Sequence, residues 1–584
     1  MKNIFKKSLS VILTLLILLS AAPLNLIPLA GATENAIEWT FSKNTLVVTG
    51  SGELSEEYTS TEEWQNMKGT CISLRIEGNI AAIGDNAFMG FALLKNVEIS
   101  SEITKIGKNA FTNCIRLNKI TLPNTVTEIG SYAFSNCKVL GTITLPDSVT
   151  AIGDYAFADC LALKEITVPQ NVTEIKEYTF SNCKALEVVN LPDSITTIGD
   201  YAFVDCVAIN KINAPQNIVE IGAWAFKNCN CFDGKALVLP DTLQKLGRGC
   251  FYGANIVSLT TPFVGVGELS EGEATYNTSY TLGYMFGDIE FDGAYMCWDD
   301  YDRDYYYVPE SLKEVVITRD VYPRNFAQAE KVERIVIKDT VEITEIPSHF
   351  VFQCTYLQDL VIENPDPITY IGTEAFRSCD SLESFQIPEN VTEIAYFAFG
   401  NCTFSSIELP QKLKVIGEYA FQNNPNLTSI VIPDSVVIIH DYAFAYCENL
   451  ETVILPDPAP AMGEFTFSET KYGGFDEMLN PDFSISEDGT LKAYWGDDEN
   501  VVVPEGVKLI GTAFAGNETI KSITLPRTLV EIEHRAFDGC KSITELVIPD
   551  SVTYIGIKAF EHTAWLEDWY ENGEGDYLIV GDGI

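Results

Sequence analysis

The chain has 584 residues, of which 82 are Asp or Glu and 38 are Lys or Arg, so its formal net charge is −44. This charge excludes a nucleic-acid binder and disfavours an anionic membrane surface as a partner, because neutralising phosphate requires clustered Lys and Arg. With 46% hydrophobic and 21% charged residues, the composition is that of a globular protein and not of a disordered acidic tail.

Residues 1–32 have the pattern of a secretory signal peptide. Three lysines lie near the N-terminus, an apolar run covers residues 9–19, and Ala30-Gly31-Ala32 offers small residues where a signal peptidase cuts. A retained membrane anchor is the alternative, since apolar residues continue to Ala30, but prolines interrupt that stretch. We expect export to the cell surface or the medium, with no membrane insertion after signal cleavage.

Residues 33–75 are predicted to cap the fold. The segment from Trp39 to Leu54 has the pattern of a hairpin with its turn at residues 42–44. A cap is needed because the terminal unit of a repeat protein exposes a hydrophobic face.

Most of the remaining chain repeats one unit of 23 residues, marked by a phenylalanine that usually follows an alanine. A fixed period in the twenties is typical of a solenoid in which each unit forms one coil. We assign repeats to residues 76–262, 311–469 and 501–562, with irregular register steps at Phe326 and Phe350. The regular register residues are Phe88, Phe111, Phe134, Phe157, Phe180, Phe203, Phe226, Phe376, Phe399, Phe421, Phe444, Phe467, Phe514, Phe537 and Phe560.

A unit of this length cannot bury its own apolar side chains, so each coil must cover its hydrophobic face with its neighbours. In the unit 117–134, Ile120 and Leu122 are two residues apart, as in a strand with one buried face. We interpret Gly130 as a residue that supplies room, since Lys176 occupies the same place in another unit. The side chains expected to point inward are Leu117, Ile120, Leu122, Val126, Ile129, Ala133 and Phe134.

The pattern L-x-x-I-x-L-P-x-x-V-T-x-I-G-x-x-A-F-x-x-C occurs at residues 140–160 and again at 186–206. It resembles the BspA-like leucine-rich repeats of bacterial surface proteins. The resemblance implies a right-handed leucine-rich-repeat solenoid with a parallel β-sheet on one face and short strand, turn and helical-turn segments on the other. It also implies a secreted or cell-surface adhesin that binds host matrix proteins or other cells, and it carries no catalytic motif.

Ten of the 15 cysteines lie three residues after a register phenylalanine. Disulfides are common in exported proteins, but a column of disulfides would require the cysteines of neighbouring coils to bond in pairs. Asn424 and Asn517 replace the cysteine in two units, so we favour free buried thiols that act as small hydrophobes. Without a C-x-x-C pair we expect no zinc site. The ten are Cys114, Cys137, Cys160, Cys183, Cys206, Cys229, Cys379, Cys402, Cys447 and Cys540.

The repeat lapses at residues 263–310, an acidic and tyrosine-rich stretch that we interpret as an expanded coil with a large loop. The segment 282–286 is a candidate degenerate register step. Aromatic side chains in long loops suit contact surfaces, but our default interpretation is a solvated acidic loop that protects an exposed coil edge, with a partner-binding loop as the alternative. The candidate ligand contacts here are Tyr276, Tyr280, Trp298, Tyr301, Tyr305 and Tyr306.

Alternating aspartates at Asp300, Asp302 and Asp304 resemble the start of a calcium-binding loop. The loop would need Gly at its sixth place and Glu at its twelfth. Tyr305 and Ser311 stand there instead, so we assign no metal and leave a loose calcium site as an alternative.

A second break at residues 470–500 is predicted to be an inserted hairpin with a Gly-bearing turn at 487–489. The last residues, 577–584, copy the first half of this hairpin and then stop. We therefore expect residues 563–584 to be an incomplete cap or the start of a continuation.

No catalytic arrangement is evident, and we predict neither enzyme activity nor a cofactor. The chain has four histidines and no G-x-S-x-G elbow, so nothing indicates a Ser-His-Asp site. Exposed positions between the core residues of successive strands are the alternative place for function. We single out Thr121, Thr144 and Thr167 in early coils and Val431 and Ile454 in late ones, because an exposed apolar strip marks a contact site.

Two hypotheses follow. The first is a surface-displayed or secreted binding protein whose partner is a protein or polysaccharide on host matrix or neighbouring cells. The second is a rigid spacer that carries a domain or anchor beyond the C-terminus. The oligomeric state is open.

Overall fold

The computed structural model describes residues 37–213, 215–267, 278–299, 304–456, 458–472, 483–486, 488–496 and 498–567. Residues 1–36, which include the predicted signal peptide, and residues 568–584 lie outside the described residues. Short coils stack along one direction, and strands of successive coils pair in parallel. The solenoid prediction is confirmed. The coils stack in parallel because a strand of one coil pairs with the equivalent strand of the next coil, as in the pair Glu165↔Val188.

One set of strands carries the L-x-x-I-x-L pattern, and we call it the front ladder. Its strands alternate exposed and buried residues, so that Ile120 and Ile166 point into the core while Thr167 points to solvent. The front strands are Ser73–Ile76, Asn96–Ile99, Lys119–Ile120, Glu165–Thr167, Val188–Asn190, Lys211–Ile212, Ala236–Val238, Ser258–Thr261, Glu314–Ile317, Arg334–Ile337, Asp359–Ile362, Ser429–Val431, Thr452–Ile454, Asn500–Val502, Ser522–Thr524 and Glu545–Val547.

The strands of the other face pair into a second parallel ladder, which we call the back ladder. It is formed by the V-T-x-I segment, whose β-branched residues suit extended backbone. The short strands implied for this face are therefore present, and they pair from coil to coil. The back strands are Asn79–Ile83, Lys105–Ile106, Glu128–Ile129, Ala151–Ile152, Glu174–Ile175, Thr197–Ile198, Glu220–Ile221, Lys245–Leu246, Glu345–Ile346, Tyr370–Ile371, Glu393–Ile394, Val415–Ile416, Ile438–Ile439, Ala461–Met462, Leu509–Ile510, Glu531–Ile532 and Tyr554–Ile555.

Both predicted hairpins are present. Strands Ile37–Ser42 and Thr45–Leu54 pair antiparallel, and the longer strand then pairs with the first strand of both ladders. Strands Phe483–Ile485 and Thr490–Tyr494 form the second hairpin. The helices are short: α-helices Glu56–Thr59 and Glu62–Asn66, and 3₁₀ helices Asn230–Phe232, Thr278–Tyr280 and Leu282–Met285.

The register phenylalanines stack inside the coils in three runs, from Phe88 to Phe226, from Phe376 to Phe467 and from Phe514 to Phe560. Phe134 lies 5.4 Å from both Phe111 and Phe157 between ring centroids, with nearly parallel planes. All seven side chains expected to point inward in the unit 117–134 are buried. The register at Phe350 is wrong by one residue. The backbone N–H of Val351 donates to the carbonyl of Ala375, which is the bond that a register phenylalanine makes, so Val351 takes the aromatic place.

The cysteine column is buried and all 15 cysteines are free thiols, which confirms the thiol interpretation. The structure adds a role that hydrophobicity did not suggest. Each column thiol donates to the carbonyl of the register residue one coil earlier, as Cys160 does to Phe134 at 3.3 Å and Cys206 does to Phe180 at 3.0 Å. Cys354 belongs to the column as well, because its thiol donates to the Phe326 carbonyl.

This hydrogen bond explains why an amide replaces the thiol. Asn424 Nδ2 donates to the carbonyls of Phe399 and Phe421 at 2.8 Å each. Asn517 does not do this. Its Oδ1 accepts from the backbone N–H and hydroxyl of Thr519 instead, so it caps a turn.

Restoring the thiol at position 424 is expected to be nearly neutral. Asn424 is buried and its Oδ1 has no partner among the described residues, so Asn424→Cys keeps one donor and removes an unsatisfied acceptor. We expect its free energy of unfolding to stay within about 1 kcal/mol of the parent, whereas Asn424→Ala loses about 1–3 kcal/mol. Urea denaturation checks this, with the exposed Asn426→Ala as control. A larger loss for the cysteine variant than for the alanine variant would contradict it.

The stretch 263–310 is an expanded coil, as predicted. Strand Ser258–Thr261 pairs directly with Glu314–Ile317, so the intervening chain is an excursion from the stack. Within it, the 3₁₀ helix Leu282–Met285 occupies a coil corner. The Met285 carbonyl accepts from Phe251 and the Leu282 N–H donates to Asn325, which continues the hydrogen bonding on both sides.

Candidate functional site

The front face, formed by outward side chains of the front ladder, is polar in the early coils. Thr121, Thr144 and Thr167 are all exposed. Asn190 occupies the same column, and its Nδ2 donates to the Thr167 hydroxyl at 3.1 Å. The column therefore presents hydroxyl and amide groups at the spacing of paired strands, about 4.8 Å.

The same column becomes apolar in later coils. Val431 and Ile454 are partners in register, and 56% and 54% of their surfaces are exposed. Ser429 and Thr452 pair beside them on the same strands. The result is an exposed aliphatic pair, Val431 with Ile454, bordered by small hydroxyl groups. Both residues were predicted to face outward and are exposed, because the period of two along a strand determines which side chains face outward.

The tyrosines of the excursion differ in how far they are exposed to solvent. Tyr305 is 39% exposed, but Tyr280 and Tyr306 are each only 5% exposed. Burial leaves the latter two rings almost no surface for a ligand, so they support the excursion instead. Tyr276 and Tyr301 lie outside the described residues, as does the side chain of Trp298.

Tyr306 belongs to a hairpin of strands Ala294–Asp299 and Asp304–Pro309 that packs onto the solenoid, whereas Tyr280 ends the 3₁₀ helix Thr278–Tyr280. The Cys297 thiol donates to the Gln328 carbonyl at 3.1 Å. The Tyr295 hydroxyl accepts from the Lys331 N–H at 3.2 Å. The loop is therefore anchored to the following coils. The alternative of a loose calcium site involves Asp300 and Asp302, which lie outside the described residues.

A second surface, the aromatic ladder, was missed by the sequence analysis. Tyr132, Tyr155, Tyr178 and Tyr201 stack along the coil corners with ring centroids 4.5, 4.4 and 4.6 Å apart. Each lies two residues before a register phenylalanine, so the 23-residue period contained the signal. The stacked rings cover one another's faces and present edges and hydroxyls to solvent.

The ladder residues have left-handed backbone, with φ values of 60°, 56°, 53° and 55°. This conformation is unusual for a bulky residue, and stacking in successive coils compensates for its strain. Burial raises the pKa of Tyr155 to about 12, and the neighbouring hydroxyls of Tyr132 and Tyr178 add to the effect. Asp154, Glu177 and Asp200 each precede a ladder tyrosine. The surface is therefore a row of stacked phenol rings beside carboxylates.

Among the described residues, one group has the composition of a metal site, namely Asp538, Glu561 and His562. Both carboxylates already have basic partners. Lys558 pairs with Glu561 at 2.8 Å, and Asp538 lies 3.6 Å from Arg535 and 3.0 Å from His562 Nδ1. We interpret the group as a surface ion-pair network.

Comparison with known proteins agrees with this architecture. The model of the BspA type leucine-rich repeat region matches six copies, over residues 63–187, 150–272, 306–392, 344–473 and 494–571. The chain belongs to the BspA-type leucine-rich repeat family. No curated protein matches the sequence. The repeat region of this family corresponds to the solenoid described above. Within the described residues, no helix is long and apolar enough to cross a membrane.

Several solved bacterial leucine-rich repeat proteins are similar to this BspA-type chain. One from Bacteroides ovatus is 26% identical, with 73% of this chain and 100% of that chain covered and a TM-score of 0.43. A leucine-rich cell surface protein from Faecalibacterium prausnitzii is 22% identical, with coverage of 73% and 95% and a TM-score of 0.28. The leucine-rich repeat protein of T. pallidum is 25% identical, with coverage of 34% and 88% and a TM-score of 0.27.

Proposed function

We propose that this protein is an exported, adhesin-like binding protein whose front face contacts a protein on host matrix or on neighbouring cells. The observation that carries the proposal is the exposed, in-register pair Val431 and Ile454. A solvated scaffold has no need of adjacent aliphatic side chains on an open sheet, whereas a contact surface gains binding free energy by burying them.

The surroundings of the pair support a protein partner. The hydroxyls of Ser429 and Thr452 lie beside the aliphatic groups on the same two strands. Apolar contact at the centre with hydrogen-bonding groups around it is the usual anatomy of a protein interface. The polar early column at Thr121, Thr144 and Thr167 extends the same face and is proposed as its hydrogen-bonding part.

The proposal is tested with the double variant Val431→Thr, Ile454→Thr. Threonine keeps the strand preference and removes apolar contact, so we expect about a tenfold weaker retention on a surface coated with basement-membrane extract. Retention of the purified exported chain is measured by surface plasmon resonance, and the same variant is tested for attachment to whole bacterial cells.

The matched control is Val139→Thr, Val207→Thr. Both valines are exposed, at 45% and 41%, but they lie outside the front strands, so the control should bind as the parent does. Equal loss in both double variants would contradict a front-face contact. No retention of the parent on either surface favours the rigid spacer, and competition of retention by polysaccharide alone favours a glycan partner.

A further inference from the structure

The front ladder has a gap between two coils that are joined by a longer connection. Strands Lys211–Ile212 and Ala236–Val238 belong to separate sheets. Phe226 and Phe251 are 25 residues apart, against the usual 23. The additional length forms the 3₁₀ helix Asn230–Phe232.

The extra turn inserts an aromatic ring between the two coils. Phe232 meets Phe226 and Phe251 edge-on, at 5.6 and 5.5 Å between ring centroids. Phe226 and Phe251 are 5.9 Å apart, which is wider than the 5.4 Å between Phe203 and Phe226. On the front side the coils separate, and a cavity opens into the core.

This cavity has a volume of about 310 Å³ and apolar walls that include Ile212, Leu237 and Leu239. A volume of that size equals about ten water molecules, and it lies within the range of small-molecule sites. The lining contains two charged residues, Lys211 and Lys235, and no carboxylate. That is unexpected in a chain with 82 acidic and 38 basic residues.

The two lysines are available to an anion. Lys235 Nζ donates to the carbonyls of Cys231 at 2.8 Å and Asn210 at 3.3 Å, which holds the ammonium across the gap. An ammonium has three N–H groups, so one remains for a ligand. Lys211 is exposed at the rim and makes no ion pair with the part of the chain that the structure describes.

We propose that the cavity between these coils binds an apolar monocarboxylate, namely a fatty acid of about ten carbons. A methylene group fills about as much space as a water molecule, so such a chain matches the cavity volume. The alkyl chain lies against the leucine, isoleucine and phenylalanine walls, and the carboxylate accepts hydrogen bonds from Lys211 and Lys235. The site does not depend on the proposed function of the front face.

The test is calorimetric titration of the purified exported chain with decanoate below its micelle concentration. We expect one site per chain. Lys211→Gln and Lys235→Gln should each weaken binding about tenfold, because each removes a charge-assisted hydrogen bond. Lys119→Gln is the matched control, since Lys119 is an exposed lysine at the start of another front strand and does not line the cavity.

Decyltrimethylammonium, which has the same chain and the opposite charge, should not bind. The net negative charge of the whole chain attracts this cation. A preference for decanoate must therefore come from the two lysines at the cavity. Ile212→Trp, which fills the cavity, should abolish decanoate binding; if that variant does not fold, the lysine variants decide. Absence of decanoate binding, equal binding of both head groups, or an equal effect of Lys119→Gln would overturn the proposal.

Discussion

Raising the pH from 7 to 10 is expected to destabilise the folded chain by several kcal/mol, chiefly through its buried thiols. Burial raises the pKa of Cys160 and Cys402 to about 12, from an ordinary value of 9.0. Burial has the same effect on Cys114 and Cys447. The folded state therefore disfavours the thiolate, while the unfolded chain ionises freely.

The sign follows from the two pKa values. Because the folded pKa is the higher one, the stability contributed by each neutral thiol is complete below pH 9 and is lost as the pH rises towards 12. At pH 10 each of the four thiols costs about 1.4 kcal/mol and together they cost about 6 kcal/mol. Urea denaturation followed by circular dichroism at pH 7 and pH 10 measures the loss.

A single substitution isolates the contribution of one thiol. Cys160→Ala should reduce the pH 7 to pH 10 loss by about 1.4 kcal/mol, apart from a cavity cost that is equal at both pH values. Thr167→Ala, a change at an exposed front position without a titratable group, should leave the pH dependence unchanged. If the loss between the two pH values is the same in Cys160→Ala as in the parent, burial of this thiol is not its cause.

Phe157→Ala is expected to lower the free energy of unfolding by about 3–5 kcal/mol, the usual cost of truncating a buried aromatic side chain. The ring is fully buried. It stacks on Phe134 at 5.4 Å and on Phe180 at 5.5 Å, so its removal leaves a cavity that fixed neighbouring rings cannot fill.

The damage should be local, since each coil contacts only its neighbours. Amide hydrogen exchange should accelerate in the coils around Phe134 and Phe180 and remain unchanged near Phe537. Phe41→Ala, at a ring that is 38% exposed, should cost less than about 1 kcal/mol. Similar costs for the two substitutions, or uniform acceleration along the chain, would contradict a core made of stacked register residues.

The sequence by itself determined the coil, its buried positions and the free thiols. This was possible because a strict 23-residue period places each residue beside its own counterpart in the next coil. One unit, such as 117–134, then describes the others. The exposure of Val431 and Ile454 followed in the same way from alternation along a strand.

Only the tertiary structure decided the features that depend on how coils meet where the period changes. It placed Val351 instead of Phe350 in the aromatic column and buried Tyr280 and Tyr306 within the excursion. It also showed the back ladder and the cavity beside Phe232. The physical reason is that an interrupted period no longer specifies each residue's neighbour, so packing between non-equivalent segments determines burial there.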